Sequence, residues 1–255
     1  MSGRDKPPAP GRFADLARLT PARIALGRSG ASLPTSELLR FGLAHAQARD
    51  AVHAPFRPDA IAAALLELGV ETLEVESAAR SREDYLRRPD WGRSLSPESL
   101  AALQARRGRF DLAIVIADGL SSTAVHQNAA PLVEAMLPHL RRQTLTLAPV
   151  VIASQARVAL GDAAGQALGA QMVLVLIPDS LGAYLTFAPR IGLTDEARNC
   201  ISNIRPGGLG FAEAAFRLAW LIDQGFRRSL TGVGLKDESD AALEAGAAAG
   251  LIPKG

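Results

Sequence analysis

Three continuous apolar runs dominate the second half of the chain: Leu112–Ala117, Leu145–Ala153 and Met172–Ile177. Strands without a polar face are buried on both sides. Segments with helical character, around residues 124–142 and 161–169, separate the three runs. This alternation predicts βαβ units, and therefore an α/β fold with a doubly wound, Rossmann-like, mostly parallel sheet.

Caps, turn residues and helical spacing predict the elements that flank these runs. We expect helices over 35–52, 58–68, 96 to near 108 and 211–228, and a half-exposed strand over 71–76. The predicted domains are a flexible N-terminal arm (1–20), a helical N-terminal region (21–108), a Rossmann-like domain (109–235) and a flexible tail (236–255).

Composition and charge argue against several classes of protein. The net charge is only +2 and the charges are scattered, so nucleic acid is not an expected partner. No apolar run approaches the roughly 18 to 20 residues that span a bilayer, so no membrane association is expected. The first twelve residues lack the apolar core of a secretory signal. These features favour a soluble cytoplasmic protein.

Arginine makes up 25 of the 28 basic residues. Many of these side chains could hold carboxylates or a partner bidentately, or their number could reflect a GC-rich genome. The arginine-rich segment 85–93 carries two aromatic side chains that look exposed, Tyr85 and Trp91. It suits either an interface or a solvated connector.

Two segments resemble ligand-binding loops. Asp118–Ser122 directly follows the first apolar run, where open parallel sheets bind ligands, but it could equally be a helix cap. Gly207–Gly210 precedes the last predicted helix; Glu213 occupies the place of the third small residue of a dinucleotide fingerprint, so an ordinary helix entry is favoured.

The titratable residues form no recognisable catalytic or metal-binding pattern. The four histidines show no HExxH spacing, and Asp50 and His53 are three residues apart, a commonplace helical spacing. Cys200 is the only cysteine, which excludes an intramolecular disulfide and a cysteine-based zinc site within one chain. On base rates it is a small buried apolar residue rather than a nucleophile. No catalytic residue and no metal ligand is therefore predicted.

Six segments, in order along the chain, resemble the small (light) subunit of ethanolamine ammonia-lyase. The resemblance covers roughly residues 20–238, and the Asn-Cys-Ile-Ser-Asn-Ile run is its most specific part. The segments are Leu26-Gly-Arg-Ser-Gly-Ala31, Leu38-Leu-Arg-Phe41, Tyr85-Leu-Arg-Arg-Pro-Asp90, Val115-Ile-Ala-Asp-Gly-Leu-Ser121, Ala188-Pro-Arg190 and Arg198-Asn-Cys-Ile-Ser-Asn-Ile-Arg205.

This resemblance implies an enzyme that converts ethanolamine to acetaldehyde and ammonia with adenosylcobalamin. The family's large subunit, a TIM barrel, holds the substrate and the radical chemistry, and the small subunit closes over the cobalamin. The implied assembly contains several heavy–light pairs. Some members are packaged in bacterial microcompartments, and we expect the cytoplasm or such a compartment within it.

The family's cobalamin contacts carry over to Val158, in Gln155-Ala-Arg-Val158, and to Cys200, in Asn199-Cys-Ile-Ser-Asn203. Neither contact requires a thiolate. The family's third contact is a glutamate in a Gly-Glu-Arg-Pro-Gly-Leu loop after the third buried strand. Here Leu176-Ile-Pro-Asp179 runs directly into Ser180, so the loop is absent and its glutamate has no counterpart.

Two other functions remain open at this stage. One is a stand-alone nucleotide-binding enzyme that uses Asp118, Ser121 and the Gly207–Gly210 loop. The other is a structural partner of the large subunit that has lost cofactor contact with the missing loop.

Overall fold

The computed structural model of the chain describes residue 24 and residues 26–178 and 181–248. The chain divides into two units, with the boundary between Ala51 and Val52. The predicted N-terminal arm, residues 1–20, and the last seven residues of the predicted tail lie outside the described residues.

Helices and strands alternate through most of the described chain. The helices are α1 (Thr35–His53), α2 (Pro58–Glu67), α3 (Arg82–Arg87), α4 (Pro97–Ala105), α5 (Ser122–Arg142), α6 (Val158–Leu168), α7 (Phe211–Arg228) and α8 (Ser239–Ala248). The strands are β1 (Thr72–Glu76), β2 (Phe110–Ala117), β3 (Val150–Ser154), β4 (Ala170–Ile177), β5 (Gly182–Phe187) and β6 (Arg198–Ile201).

The strands form one sheet in the order β1-β3-β2-β4-β5-β6. The first four run parallel, whereas β5 pairs antiparallel with β4, and β6 with β5. The predicted α/β class is confirmed, and the sheet is mixed rather than purely parallel. A doubly wound, Rossmann-like arrangement and the predicted domain boundaries stay predictions.

Alternate side chains of β2 enter two different hydrophobic clusters. Leu112, Ile114 and Ile116 join a cluster with residues of α2, α5 and α7. Ala113, Val115 and Ala117 join a second cluster with residues of α4 and α6. The two faces of the sheet are therefore both covered by helices, which explains why the predicted strands lack a polar face.

Several element boundaries differ from the predictions for identifiable reasons. The apolar run from Leu145 begins to form regular strand only at β3, because Pro149 has no amide hydrogen to donate to a neighbouring strand. The structure adds α3, β5 and β6, which were not predicted. It also adds α8 within the predicted flexible tail, where Arg217 of α7 donates hydrogen bonds to Ser239 (3.2 Å) and Asp240 (2.6 Å).

None of the helices in the described ranges combines the length and apolarity needed to cross a membrane.

Candidate functional site

Helix α6 carries Val158 as its first residue and packs closely on β4. A methyl group on Gly161 would overlap Cγ2 of Val175, and one on Gly165 would lie 3.1 Å from Cβ of Val173. These glycines are one helical turn apart and therefore lie on the same helix face. Their lack of side chains lets the α6 backbone approach the sheet, and this approach fixes the height of Val158 above the strands.

Cys200 lies on the same face of the sheet as α6. In the strand register Val175 of β4 is opposite Tyr184 of β5, which is opposite Cys200 of β6. Directly opposed residues in neighbouring strands project to one face. Val175 belongs to the cluster beneath α6, and both Val158 and Tyr184 pack against that cluster. The structure thus places Val158 and Cys200 on one face, with Tyr184 bordering each.

A small cavity lies between Val158 and Tyr184. Its volume is about 140 Å³. It opens at the carboxyl ends of β2 and β4, where parallel sheets commonly bind ligands. Its lining is mostly apolar, with one guanidinium group: Tyr85, Gly119, Leu120, Arg157, Val158, Ile177, Pro178 and Tyr184.

Tyr85 is buried, with 1% of its surface exposed, so the prediction that it is exposed was wrong. The guanidinium carbons of Arg82 and Arg157 lie 4.7 and 4.6 Å from its ring centroid. Two cations over an electron-rich ring stabilise its burial. Arg157 also donates an Nη2 hydrogen bond to the Tyr85 carbonyl (3.1 Å), while its Nε is buried and has no hydrogen-bond partner among the described residues.

Asp118 is also buried, with 1% exposure, and holds together the loops at this edge. Its carboxylate accepts a hydrogen bond from the Ala156 amide (2.9 Å) and lies 3.6 Å from Nη1 of Arg82. Burial raises the pKa of Asp118, and the amides and the guanidinium oppose that effect. Ser121 occupies the cap position of α5 without a side-chain capping bond. The Asp118 carboxylate is thus committed to the protein, so this segment supports the loop structure rather than presenting an acid to a ligand.

Two of the amides in the Gly207–Gly210 loop are hydrogen-bonded within the loop. Gly208 donates to the Arg205 carbonyl (3.0 Å) and Leu209 to the Asn203 carbonyl (2.8 Å). A side chain on Gly208 would overlap Asn203. Amides already bonded within the loop cannot cradle a phosphate, so the structure favours the helix-entry interpretation.

The Cys200 thiol is exposed, yet desolvation raises its pKa, against a smaller opposing effect of a hydrogen bond with Tyr184. A raised pKa keeps the group a neutral thiol near neutral pH. Cys200 therefore offers a neutral contact surface rather than a nucleophile.

Comparison with known proteins identifies the family of this chain. The sequence model described as "Ethanolamine ammonia-lyase light chain (EutC)" matches residues 10–236. The chain belongs to the ethanolamine ammonia-lyase light-chain family. Curated relatives named ethanolamine ammonia-lyase small subunit include one from Azotobacter vinelandii, 51% identical over 98% of this chain and 97% of the relative. A relative from Rhodopseudomonas palustris is 54% identical over 92% of this chain and 93% of the relative. One from Bradyrhizobium diazoefficiens is 55% identical over 88% of this chain and 90% of the relative.

The segment in which the light-chain resemblance places a glutamate loop is short here. Ile177 of β4 pairs with Gly182 of β5, so only residues 178–181 connect the two strands. This connection borders the cavity through Pro178. The β4–β5 connection therefore forms part of the edge of the cavity.

Sequence reasoning missed Tyr85, Arg157 and Tyr184 as parts of the site. The segment from Tyr184 to Phe187 was a usable strand signal, because the hydroxyl-bearing Tyr184 and Thr186 alternate with apolar Leu185 and Phe187. Nothing local predicted that Tyr85 and Arg157 would stack, since 72 residues separate them along the chain.

Proposed function

We propose that this chain is the small subunit of adenosylcobalamin-dependent ethanolamine ammonia-lyase, and that it closes over cobalamin held by the large catalytic subunit. Family membership supports the enzyme assignment. The observation that carries the cofactor-closing role is the common sheet face of Val158 and Cys200, with Tyr184 bordering both. We assign cofactor contact to Val158 and Cys200.

The residues at this edge fit the cofactor. A corrin ring presents apolar surface and many amide groups, so it is complemented by small apolar side chains and hydrogen-bond donors. Val158 and Tyr184 provide the apolar surface, and Cys200 provides a neutral, exposed thiol.

The size of the cavity supports a shared site. Pockets that enclose a small molecule have volumes of roughly 300–1,000 Å³, whereas this cavity has about 140 Å³. It can receive a peripheral group of the cofactor but cannot enclose the ring. A second protein surface is needed, and the large subunit is the proposed source.

Positioning is then the task of this chain in the conversion of ethanolamine to acetaldehyde and ammonia. When bound, adenosylcobalamin supplies the radical chemistry. Val158 and Tyr184 would exclude water from one side of the cofactor, and Cys200 would contact it as a neutral thiol. The Asp118 carboxylate is held by the Ala156 amide, so we assign it no proton transfer and propose no catalytic residue in this subunit.

We further propose an assembly of several heavy–light pairs, in the cytoplasm or in a bacterial microcompartment within it. The small-subunit name of the relatives supports a large partner subunit.

The test is co-expression with a large subunit, purification of the complex, and measurement of acetaldehyde release as adenosylcobalamin is titrated. Val158→Glu is the diagnostic variant, because an acidic residue in the first helical turn suits α6 but puts a charge against the apolar ring. Leu66→Glu is the matched control, since Leu66 is exposed on α2, whose buried residues belong to the cluster on the opposite face of the sheet.

We expect wild type and Leu66→Glu to turn over with equal cofactor affinity, and Val158→Glu to need on the order of tenfold more cofactor, a cost of about 1.4 kcal/mol. Co-purification without turnover would favour a purely structural partner. Failure to associate with the large subunit would overturn the proposed function.

A further inference from the structure

One ion pair connects the two elements that carry the proposed cofactor contacts. Asp162 lies on α6 and Arg198 on β6, and Nη2 of Arg198 donates a hydrogen bond to the Asp162 carboxylate. Asp162 is 1% exposed and Arg198 7% exposed. Nη1 of Arg198 also donates to Oδ1 of Asp195 (2.9 Å), so the guanidinium is held from two sides.

The positions of the two partners match the positions of the contact residues. Asp162 is four residues after Val158, one helical turn further along the same face of α6 and about 6 Å along its axis. Arg198 is two residues before Cys200, on the same face of β6 and about 6.7 Å away along the strand. The ion pair therefore joins the same two elements, α6 and β6, that carry the proposed contact residues Val158 and Cys200.

Stability alone is a poor explanation for this pair. A buried ion pair seldom stabilises a protein more than well-packed apolar residues would, because both charges lose their hydration. The pair is also incompletely satisfied, since Nε of Arg198 is buried and the part of the chain that the structure describes offers it no hydrogen-bond partner. An apolar pair would hold α6 on the sheet but would tolerate small sliding movements, whereas a guanidinium–carboxylate pair fixes direction and distance.

We propose that Asp162 and Arg198 are positioning residues that set the spacing between Val158 and Cys200, and hence the fit of this face to the cobalamin. The inference rests on the proposed function. Neither residue is proposed to touch the cofactor; each acts through the contact residue on its own element.

The test uses the intact complex with the large subunit and the variant Asp162→Asn, which keeps the side-chain shape and removes the charge. Cofactor binding is measured directly, by equilibrium dialysis with adenosylcobalamin in the absence of substrate. Thermal unfolding, kcat at saturating cofactor and KM for ethanolamine are measured beside it. Leu65→Ala is the matched control, because Leu65 is fully buried in α2 in the cluster on the opposite face of the sheet.

We expect Asp162→Asn to raise the cofactor dissociation constant on the order of tenfold, while kcat at saturation and KM for ethanolamine stay unchanged. Leu65→Ala should lower the unfolding temperature and leave the dissociation constant unchanged. Arg198→Lys keeps the charge but loses the planar guanidinium, so it should raise the cofactor dissociation constant by an intermediate amount. This variant should still fold if Asp162→Asn does not.

The outcomes separate the two proposals. Unchanged cofactor affinity in Asp162→Asn, or in Arg198→Lys if the first variant does not fold, overturns the positioning role and leaves the proposed function standing. An equal loss of affinity in Leu65→Ala also overturns it, because the effect would follow stability and not spacing. A wild-type complex that binds no adenosylcobalamin overturns the proposed function itself.

Discussion

The close packing of α6 on β4 makes Gly161 a sensitive test of the structure. In Gly161→Ala the new methyl group would overlap Cγ2 of Val175, a side chain with 1% of its surface exposed. Val175 is β-branched and lies between two neighbouring strands, so it has little freedom to rotate away. The helix must therefore move outwards, or the strand must distort.

The expected magnitude combines two opposing effects. Overpacking a core costs about 1–3 kcal/mol, and so severe an overlap should lie at the upper end of that range. Alanine gains about 1 kcal/mol over glycine inside a helix. The net loss of unfolding free energy should be about 2 kcal/mol, although alanine is the better helix former.

A double-mutant cycle tests the contact itself. Val175→Ala alone should cost about 2.5 kcal/mol, from lost burial and a residual cavity. In the double variant the methyl group at position 161 occupies that cavity, so the total loss should be about 2 kcal/mol rather than the additive 4.5. Urea unfolding followed by tryptophan fluorescence measures the unfolding free energy of the wild type, the two single variants and the double variant.

The control is Gly42→Ala, in α1, where an added methyl group meets no atom of the described residues within 4 Å. That variant should be as stable as wild type or more so. The reasoning is refuted if Gly161→Ala is as stable as Gly42→Ala, or if the two changes in the cycle are simply additive.

Three further predictions concern protonation and the C-terminal helix. Burial lowers the pKa of His126, whose Nε2 accepts a hydrogen bond from the Arg57 amide (3.1 Å). Below the ordinary histidine pKa of 6.5 the unfolded chain binds a proton that the folded site resists, so the unfolding free energy should decrease as the pH is lowered. This decrease should be less steep in His126→Asn. A pH-independent stability between pH 5 and 7, roughly the window in which histidine titrates, contradicts this. The rate of Cys200 alkylation by iodoacetamide, plotted against pH for the isolated chain, should have its inflection above the ordinary thiol pKa of 9.0, because desolvation raises the pKa of Cys200. An inflection at or below 9.0 argues against the site as described. Arg217→Ala removes the hydrogen bond to Asp240 and should speed amide hydrogen exchange in α8 but not in the middle of α7; equal exchange in both proteins would show that this contact does not hold α8.

The parallel part of the sheet could be predicted because each strand is marked by its own side chains. Residues 112–117 and 172–177 are apolar at every position, which is the local mark of burial on both faces. Helix α7 was also predicted with its observed bounds, since its apolar residues recur at helical spacing. These elements need no distant partner to be recognised.

The antiparallel extension could not be predicted in the same way. β6 has only four residues, Arg198–Ile201, two of them polar, and its burial pattern follows from a partner that the local sequence does not identify. Arg198 reads as a surface residue until Asp162 is placed beside it. The same limit hid Tyr85, because a tyrosine between arginines looks exposed unless the guanidinium groups are known to stack on it.

The antiparallel strands also determine which cofactor contacts the short β4–β5 connection can affect. Cys200 is positioned by its register with Tyr184, and Val158 by the packing of α6 on β4. Neither position depends on a longer loop after Ile177. On the proposed function, the absent glutamate loop should therefore remove one contact at the cavity edge without displacing the other two. Weakened cofactor binding with intact subunit assembly is the consequence, and lengthening the connection with the family's Gly-Glu-Arg-Pro-Gly-Leu sequence should tighten binding without changing assembly.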